Sequence, residues 1–105
     1  MPTPTTQLRA LHLENIHPDG AAVLTAAGFA VDHRAGALGE DDLIEALSGV
    51  GLLGIRSNTT VSKRVLDAAP DLLAIGAYCI GTNQIDIAAA ARRGILVKGG
   101  VHLEH

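Results

Sequence analysis

Short apolar runs recur along this chain at nearly even spacing, each followed by a polar turn and a longer stretch whose apolar residues fall three or four apart. Residues 8–13 form the first run, of strand length. Polar Glu14-Asn15-Ile16-His17 follows, and Pro18 stands where a helix would begin, since its missing N–H has no intrahelical partner to lose there. That helix is predicted to run to about Ala27, where Gly28 supplies the left-handed residue that ends it. Residues 29–33 read as the second strand. After the turn-like Arg34-Ala35-Gly36-Ala37, acidic Glu40, Asp41 and Asp42 open a second helix, complementing its macrodipole, and Leu43 and Leu47 share its buried face. Residues 50–55 make the third strand. Ser62 caps a third helix, whose Val65, Leu66 and Ala69 point inward before Pro70 stops it. Residues 72–76 make the fourth strand. Asn83 is predicted to cap a fourth helix, with Asp86 three residues on, Arg92 and Arg93 complement its C-terminal end, and Gly94 closes it before a fifth strand at residues 95–97.

The pattern is βαβαβαβαβ. Strands this short and apolar, separated by single helices, are expected to be buried on both faces, as in a parallel sheet with helices on each side. For five strands the flavodoxin-like order 2-1-3-4-5 is the natural α/β arrangement. Residues 1–7 read as a disordered lead-in and residues 8–97 as one domain, while residues 98–105 read as a tail ending like an expression tag, to be excluded from functional reasoning.

Composition narrows the partners. A chain of 105 residues that is 48% hydrophobic can bury about two-thirds of its unfolded surface and is expected to fold alone. Phe29 and Tyr78 are its only aromatic side chains, so base-stacking platforms have no material. A net charge of -3 and a pI near 5.9 argue against general attraction to nucleic acid or an anionic membrane. Cys79 is the only cysteine, which excludes an intrachain disulfide and a multi-thiolate zinc site and suits a reducing cytoplasm. Neither a secretory signal nor a membrane-length apolar stretch is expected.

In open sheets of this kind ligands bind beyond the carboxyl ends of the strands, which restricts the search to the loops opening at Glu14, Arg56, Ala77 and Lys98. The sharpest is Arg56-Ser57-Asn58-Thr59-Thr60, where a guanidinium fork, several hydroxyls and the start of the helix capped by Ser62 are expected to converge, a combination suited to a carboxylate or phosphate. The competing reading makes Arg56 a solvated strand-end residue and leaves the hydroxyls to cap the helix. The second candidate is Tyr78-Cys79-Ile80-Gly81-Thr82-Asn83, whose glycine lets backbone approach a ligand closely; its alternative is an ordinary strand-to-helix turn.

Other signals fail on placement. Gly49-Val50-Gly51-Leu52-Leu53-Gly54 matches GxGxxG, but it follows a helix and enters a strand, the reverse of a dinucleotide-binding loop. A phospho-acceptor receiver would need an aspartate where Arg56 stands, and a flavodoxin a hydroxyl-rich loop where Glu14-Asn15-Ile16-His17 stands. His12, His17 and His33 lack metal-ligand spacing and read as surface or core histidines, while His102 and His105 sit in the tail. No metal is expected, and Cys79 reads as a small buried apolar residue.

Leu13-Glu14-Asn15-Ile16-His17-Pro18, Gly54-Ile55-Arg56-Ser57-Asn58-Thr59, Ala74-Ile75-Gly76 and Cys79-Ile80-Gly81-Thr82-Asn83-Gln84-Ile85-Asp86 resemble, in order and spacing, the N-terminal part of bacterial 3-phosphoglycerate dehydrogenases of the D-2-hydroxyacid dehydrogenase family. The resemblance spans residues 8–97 and implies a parent that oxidises 3-phospho-D-glycerate to 3-phosphohydroxypyruvate with NAD, toward serine. It implies substrate contacts by Arg56, Ser57 and Asn58 and by the backbone at Cys79, Ile80 and Gly81. Two departures matter: Asn58 stands where relatives often carry a second arginine, and Asn83 where the wider family has aspartate. The family's nicotinamide site, catalytic histidine and polarising arginine have no counterpart here, so the fragment is expected to bind no NAD and to be inactive alone. The parent is expected to be a homo-oligomer and the fragment a monomer by default. The alternative is a stand-alone flavodoxin-like module that binds a small anion or senses one for regulation.

Overall fold

A computed structural model describes residues 8–16, 18–78 and 83–100. Nine elements alternate strictly: β1 (Arg9–His12), α1 (Pro18–Ala26), β2 (Ala30–His33), α2 (Glu40–Ala46), β3 (Leu52–Ile55), α3 (Lys63–Asp67), β4 (Ala74–Ala77), α4 (Ile87–Arg92) and β5 (Leu96–Lys98). The five strands form one parallel sheet in the order β2-β1-β3-β4-β5, the order the alternation predicts. Right-handed crossovers outward from β1 to β2, and back past β1 to β3, place α1 on one face and α2, α3 and α4 on the other.

The main core lies on the three-helix face. Leu11, Leu13, Leu53, Ile55, Ile75 and Ala77 from the sheet meet Leu43 and Leu47 of the α2 region, Val65 and Leu66 of α3, and Ala89 and Ala90 of α4. With almost no aromatic side chains available, branched aliphatics and alanines fill this layer.

The opposite face departs from the expectation of burial on both sides. Strand register places Ala10, Leu52, Ala74 and Leu96 in one row. Their burial declines outward from β1: Ala10 is buried, Leu52 and Ala74 are half-buried, and Leu96 is 69% exposed. The reason is coverage, because α1, the helix of the β1–β2 crossover, lies over the β1–β2 half of the sheet, and among the described residues no helix covers the β4–β5 half of that face.

Helix ends largely follow local chemistry. Ser62 accepts the Val65 N–H, as a cap should, and Gly28 closes the α1 turn at φ +100°. Helix α2 opens with Glu40, Asp41 and Asp42 as expected, and Arg64 of α3 ties to Glu40 and Asp41 at 2.6 Å each. Those pairs are solvent-exposed, so screening leaves them little stabilising effect.

Helix α4 corrects the sequence-based expectation. Its cap is Asp86, whose carboxylate accepts the Ala89 N–H at 3.0 Å, and the helix starts at Ile87 rather than just after Asn83. The cause is non-local: Ile85 forms a parallel bridge with Val61, in which Val61 N–H donates to Gln84 O and Asp86 N–H to Val61 O. That bridge holds Ile85 in a strand-like pairing after the turn at residues 83–84, so the helix cannot begin there. Asp86→Ala is expected to cost about 1 kcal/mol and Asn83→Ala to change little, measured as urea midpoints of the two variants.

Candidate functional site

The loops after β1, β2 and β3 meet at the carboxyl edge of the sheet, at the position where the crossovers reverse direction. They enclose an open cleft of about 360 Å³, lined by Glu14, Ala35, Gly36, Ala37, Arg56, Ser57 and Asn58. Three of the six sequence-predicted site residues, Arg56, Ser57 and Asn58, thus share one wall, and all three are solvent-exposed. Cys79, Ile80 and Gly81 lie outside the described residues, as does His17.

The wall is built by a residue to which sequence reasoning assigned no role. Glu14 is buried, and its carboxylate accepts three backbone N–H groups from the loop after β3: Arg56 to Oε2 at 2.7 Å, Thr59 to Oε2 at 3.1 Å and Asn58 to Oε1 at 2.8 Å. Three main-chain donors converging on one negative charge make strong, charge-assisted bonds. To reach them, Glu14 and Asn15 both take left-handed backbone conformations, φ 63° and 55°, which cost strain in side-chain-bearing residues. Glu14 N–H donates to Gly36 O and Asn15 N–H to Arg34 O, which binds the β2 loop to the same turn. His33 Nε2 donates to Ile16 O at 3.1 Å and anchors the turn's far end.

This arrangement revises how the loop can hold an anion. The amides of residues 56, 58 and 59 serve Glu14, which leaves Ser57 N–H as the amide of that stretch not directed at the carboxylate. The hydroxyls do not converge either. Thr59 is fully buried with its Oγ1 unpartnered, Thr60 is absent from the cleft lining, and Ser62 donates its hydroxyl to Glu40 at 3.0 Å. The start of α3 therefore lies apart from the cleft, and Arg56 is the one cationic side chain among the described residues that line it.

A second contact fixes Arg56 from the opposite side. Gln84 Nε2 donates to Arg56 O at 2.9 Å, so the Arg56 backbone is held at its N–H from the turn after β1 and at its C=O from the segment before α4. Neither partner is readable from local pattern, because each acts across more than 25 residues of sequence.

His12, on β1 beneath these loops, is fully buried with neither ring nitrogen hydrogen-bonded. Burial, with a smaller contribution from the charge of neighbouring His33, holds its pKa below the usual 6.5. Tyr78 packs edge-on against it, with ring centroids 5.5 Å apart, and burial raises the phenol's pKa above 10.0. His12 is a core histidine, in keeping with its reading from sequence. Among the described residues no group of three or more His, Cys, Asp or Glu side chains could hold a metal, and no helix is long and apolar enough to cross a membrane.

Comparison with known proteins agrees with this architecture. The family model described as "D-isomer specific 2-hydroxyacid dehydrogenase, catalytic domain" matches residues 10–99. A D-3-phosphoglycerate dehydrogenase of Dictyostelium discoideum is 42% identical over 94 residues, covering 90% of this chain and 23% of that protein. One of Escherichia coli is 40% identical over 92 residues, covering 87% of this chain and 22% of that protein. The crystal structure of NAD+-bound 3-phosphoglycerate dehydrogenase of Entamoeba histolytica superposes with a TM-score of 0.77 at 20% identity, over 89% of this chain and 32% of that one, a likeness of fold. The chain thus spans less than a quarter of the length of these curated relatives. With the family model running from β1 through β5, this chain belongs to the D-isomer specific 2-hydroxyacid dehydrogenase family.

Proposed function

We propose that this chain is the substrate-binding part of an NAD-dependent dehydrogenase that oxidises 3-phospho-D-glycerate to 3-phosphohydroxypyruvate, the entry to serine synthesis. The observation that carries the reading is the exposed Arg56 guanidinium on the wall of a cleft at the sheet's switch point, flanked by Ser57 and Asn58. Its planar fork matches a carboxylate or phosphate bidentately. Similarity to D-3-phosphoglycerate dehydrogenases at about 40% identity selects a phosphorylated hydroxyacid from the anions that such a cleft would accept. In this reading the backbone at Cys79, Ile80 and Gly81 holds a second anionic group of the substrate.

The dinucleotide does not fit the described residues. The GxGxxG match at residues 49–54 leaves α2 and enters β3, so its glycines lie before or within a strand and offer no helix N-terminus to a pyrophosphate. The role of this chain's residues is to bind and orient the acid: Arg56 neutralises its charge, Ser57 and Asn58 donate to its oxygens, and the β1 and β2 loops close the far wall. Residues 8–97 form the substrate-binding domain in this reading, and the cofactor and acid/base group come from a separate part of a longer parent.

Titrating the ¹⁵N-labelled chain with 3-phosphoglycerate tests the proposal. Shifts are expected at residues 56–58 and around residues 79–81. Arg56→Ala is expected to weaken binding roughly tenfold to a hundredfold, with Arg56→Lys between the two because lysine keeps the charge and loses the fork. Equal affinity in all three chains, or shifts confined to other surfaces, would refute the assignment.

A further inference from the structure

We propose that Glu14 and Gln84 are positioning residues that clamp the Arg56 peptide from both sides and so set the guanidinium's aim into the cleft. The inference rests on the binding role given above to Arg56. Its basis is geometric. Arg56 directly follows β3, where ladder hydrogen bonds no longer hold the chain, and a long side chain on a loose loop would sample many directions.

Here the Arg56 N–H donates to Glu14 Oε2 at 2.7 Å, its C=O accepts from Gln84 Nε2 at 2.9 Å, and Asn58 and Thr59 are tied to the same carboxylate. Both peptide groups flanking the Arg56 Cα are thereby fixed, and with them the direction of its Cα–Cβ bond. The clamp comes from two sides: Glu14 reaches from the turn after β1 and Gln84 from beside the Val61–Ile85 bridge.

A strained turn at this point supports the assignment. Two successive left-handed residues bearing side chains, Glu14 and Asn15, bring the carboxylate under the Arg56–Thr59 amides, and its three charge-assisted bonds oppose that strain. Glutamine at position 14 cannot replace it, because all three loop groups are donors and an amide offers one acceptor oxygen beside an NH2 group with two donors of its own. Aspartate keeps the charge but is one methylene too short.

The experiment uses the whole chain, with 3-phosphoglycerate as probe and two readouts: affinity from ¹⁵N shifts, and the order parameter of the Arg56 Nε–Hε bond. Glu14→Gln is expected to weaken binding about tenfold and to lower that order parameter, with Gln84→Ala doing the same to a smaller degree. In an Arg56→Ala background neither change should weaken binding further, which separates positioning from a general loss of fold.

Wild-type affinity and wild-type Nε–Hε order in a folded Glu14→Gln chain would overturn the clamp, while leaving the substrate reading intact if Arg56→Ala still weakens binding. If no chain binds the probe, the substrate reading fails, and the order parameter alone decides the clamp. Should Glu14→Gln not fold, Gln84→Ala carries the test. Its side-chain donor meets an exposed carbonyl, and an unchanged order parameter there would also count against the proposal.

Discussion

Gly54→Ala is expected to destabilise the chain by about 3 kcal/mol, at the upper end for one methyl group added to a packed interior. Gly54 lies on β3, between His12 of β1 and Gly76 of β4 in strand register. A Cβ placed there would stand 2.5 Å from His12 Cδ2, 3.0 Å from its Nε2 and 3.1 Å from Tyr78 Cε1. Real Cβ atoms do not approach carbon to 2.5 Å, so the imidazole or the strand must move. The ring has no free space, being fully buried with Tyr78 edge-on against it.

The backbone adds no penalty, since Gly54 does not occupy the left-handed region, and the effect isolates packing. Urea denaturation should show a lower midpoint with an unchanged slope. His12→Ala removes the obstructing ring, so the double variant should be more stable than the sum of the single losses predicts, by about 1 kcal/mol or more. Strict additivity would mean that another contact limits the site. Gly36→Ala serves as control, because nothing lies within 4 Å of its Cβ position, and little change is expected.

The same positions show where sequence pattern is informative. Element order, sheet order, the Ser62 cap, the Gly28 stop and the reversed GxGxxG all depend on neighbouring residues, and each is found where local chemistry puts it. The features that shape the cleft depend on distant partners. Glu14 reads locally as a polar residue after a strand, and its function as acceptor for residues 42 to 45 positions away appears only once β1 and β3 are adjacent. Asn83 is as good a cap as Asp86 on propensity, and the Val61–Ile85 bridge decides between them. Thr59 counts as a site hydroxyl in sequence, yet its backbone is drawn toward Glu14 and its side chain is buried. The Arg56-Ser57-Asn58 stretch was legible because exposed polar residues after a buried strand need no distant partner to be noticed; what holds them in place was not.

His12→Leu is expected to stabilise the chain, by an amount that grows as the pH falls. At neutral pH the buried imidazole leaves one donor and one acceptor without partners, a cost of about 1–3 kcal/mol, while its edge-on contact with Tyr78 returns about 0.5–1.5 kcal/mol. Leucine has similar bulk and no polar atoms, so a net gain of about 1 kcal/mol follows near pH 7.5. Acid adds to it. Burial, and then the charge of His33, depress the folded-state pKa of His12 below the unfolded value of 6.5, so the unfolded chain takes up a proton that the folded chain resists. Stability attached to neutral His12 is therefore intact above 6.5 and is lost as the pH falls from there toward the depressed folded value. Every other titrating group is common to both chains, which makes the difference between them a measure of His12 itself. Urea midpoints taken from about pH 7.5 to about pH 5 should diverge, with the leucine chain further ahead at the acid end than at the neutral end. Parallel curves would mean that the ring finds a hydrogen-bond partner on protonation, for which the described residues around it offer no placed acceptor.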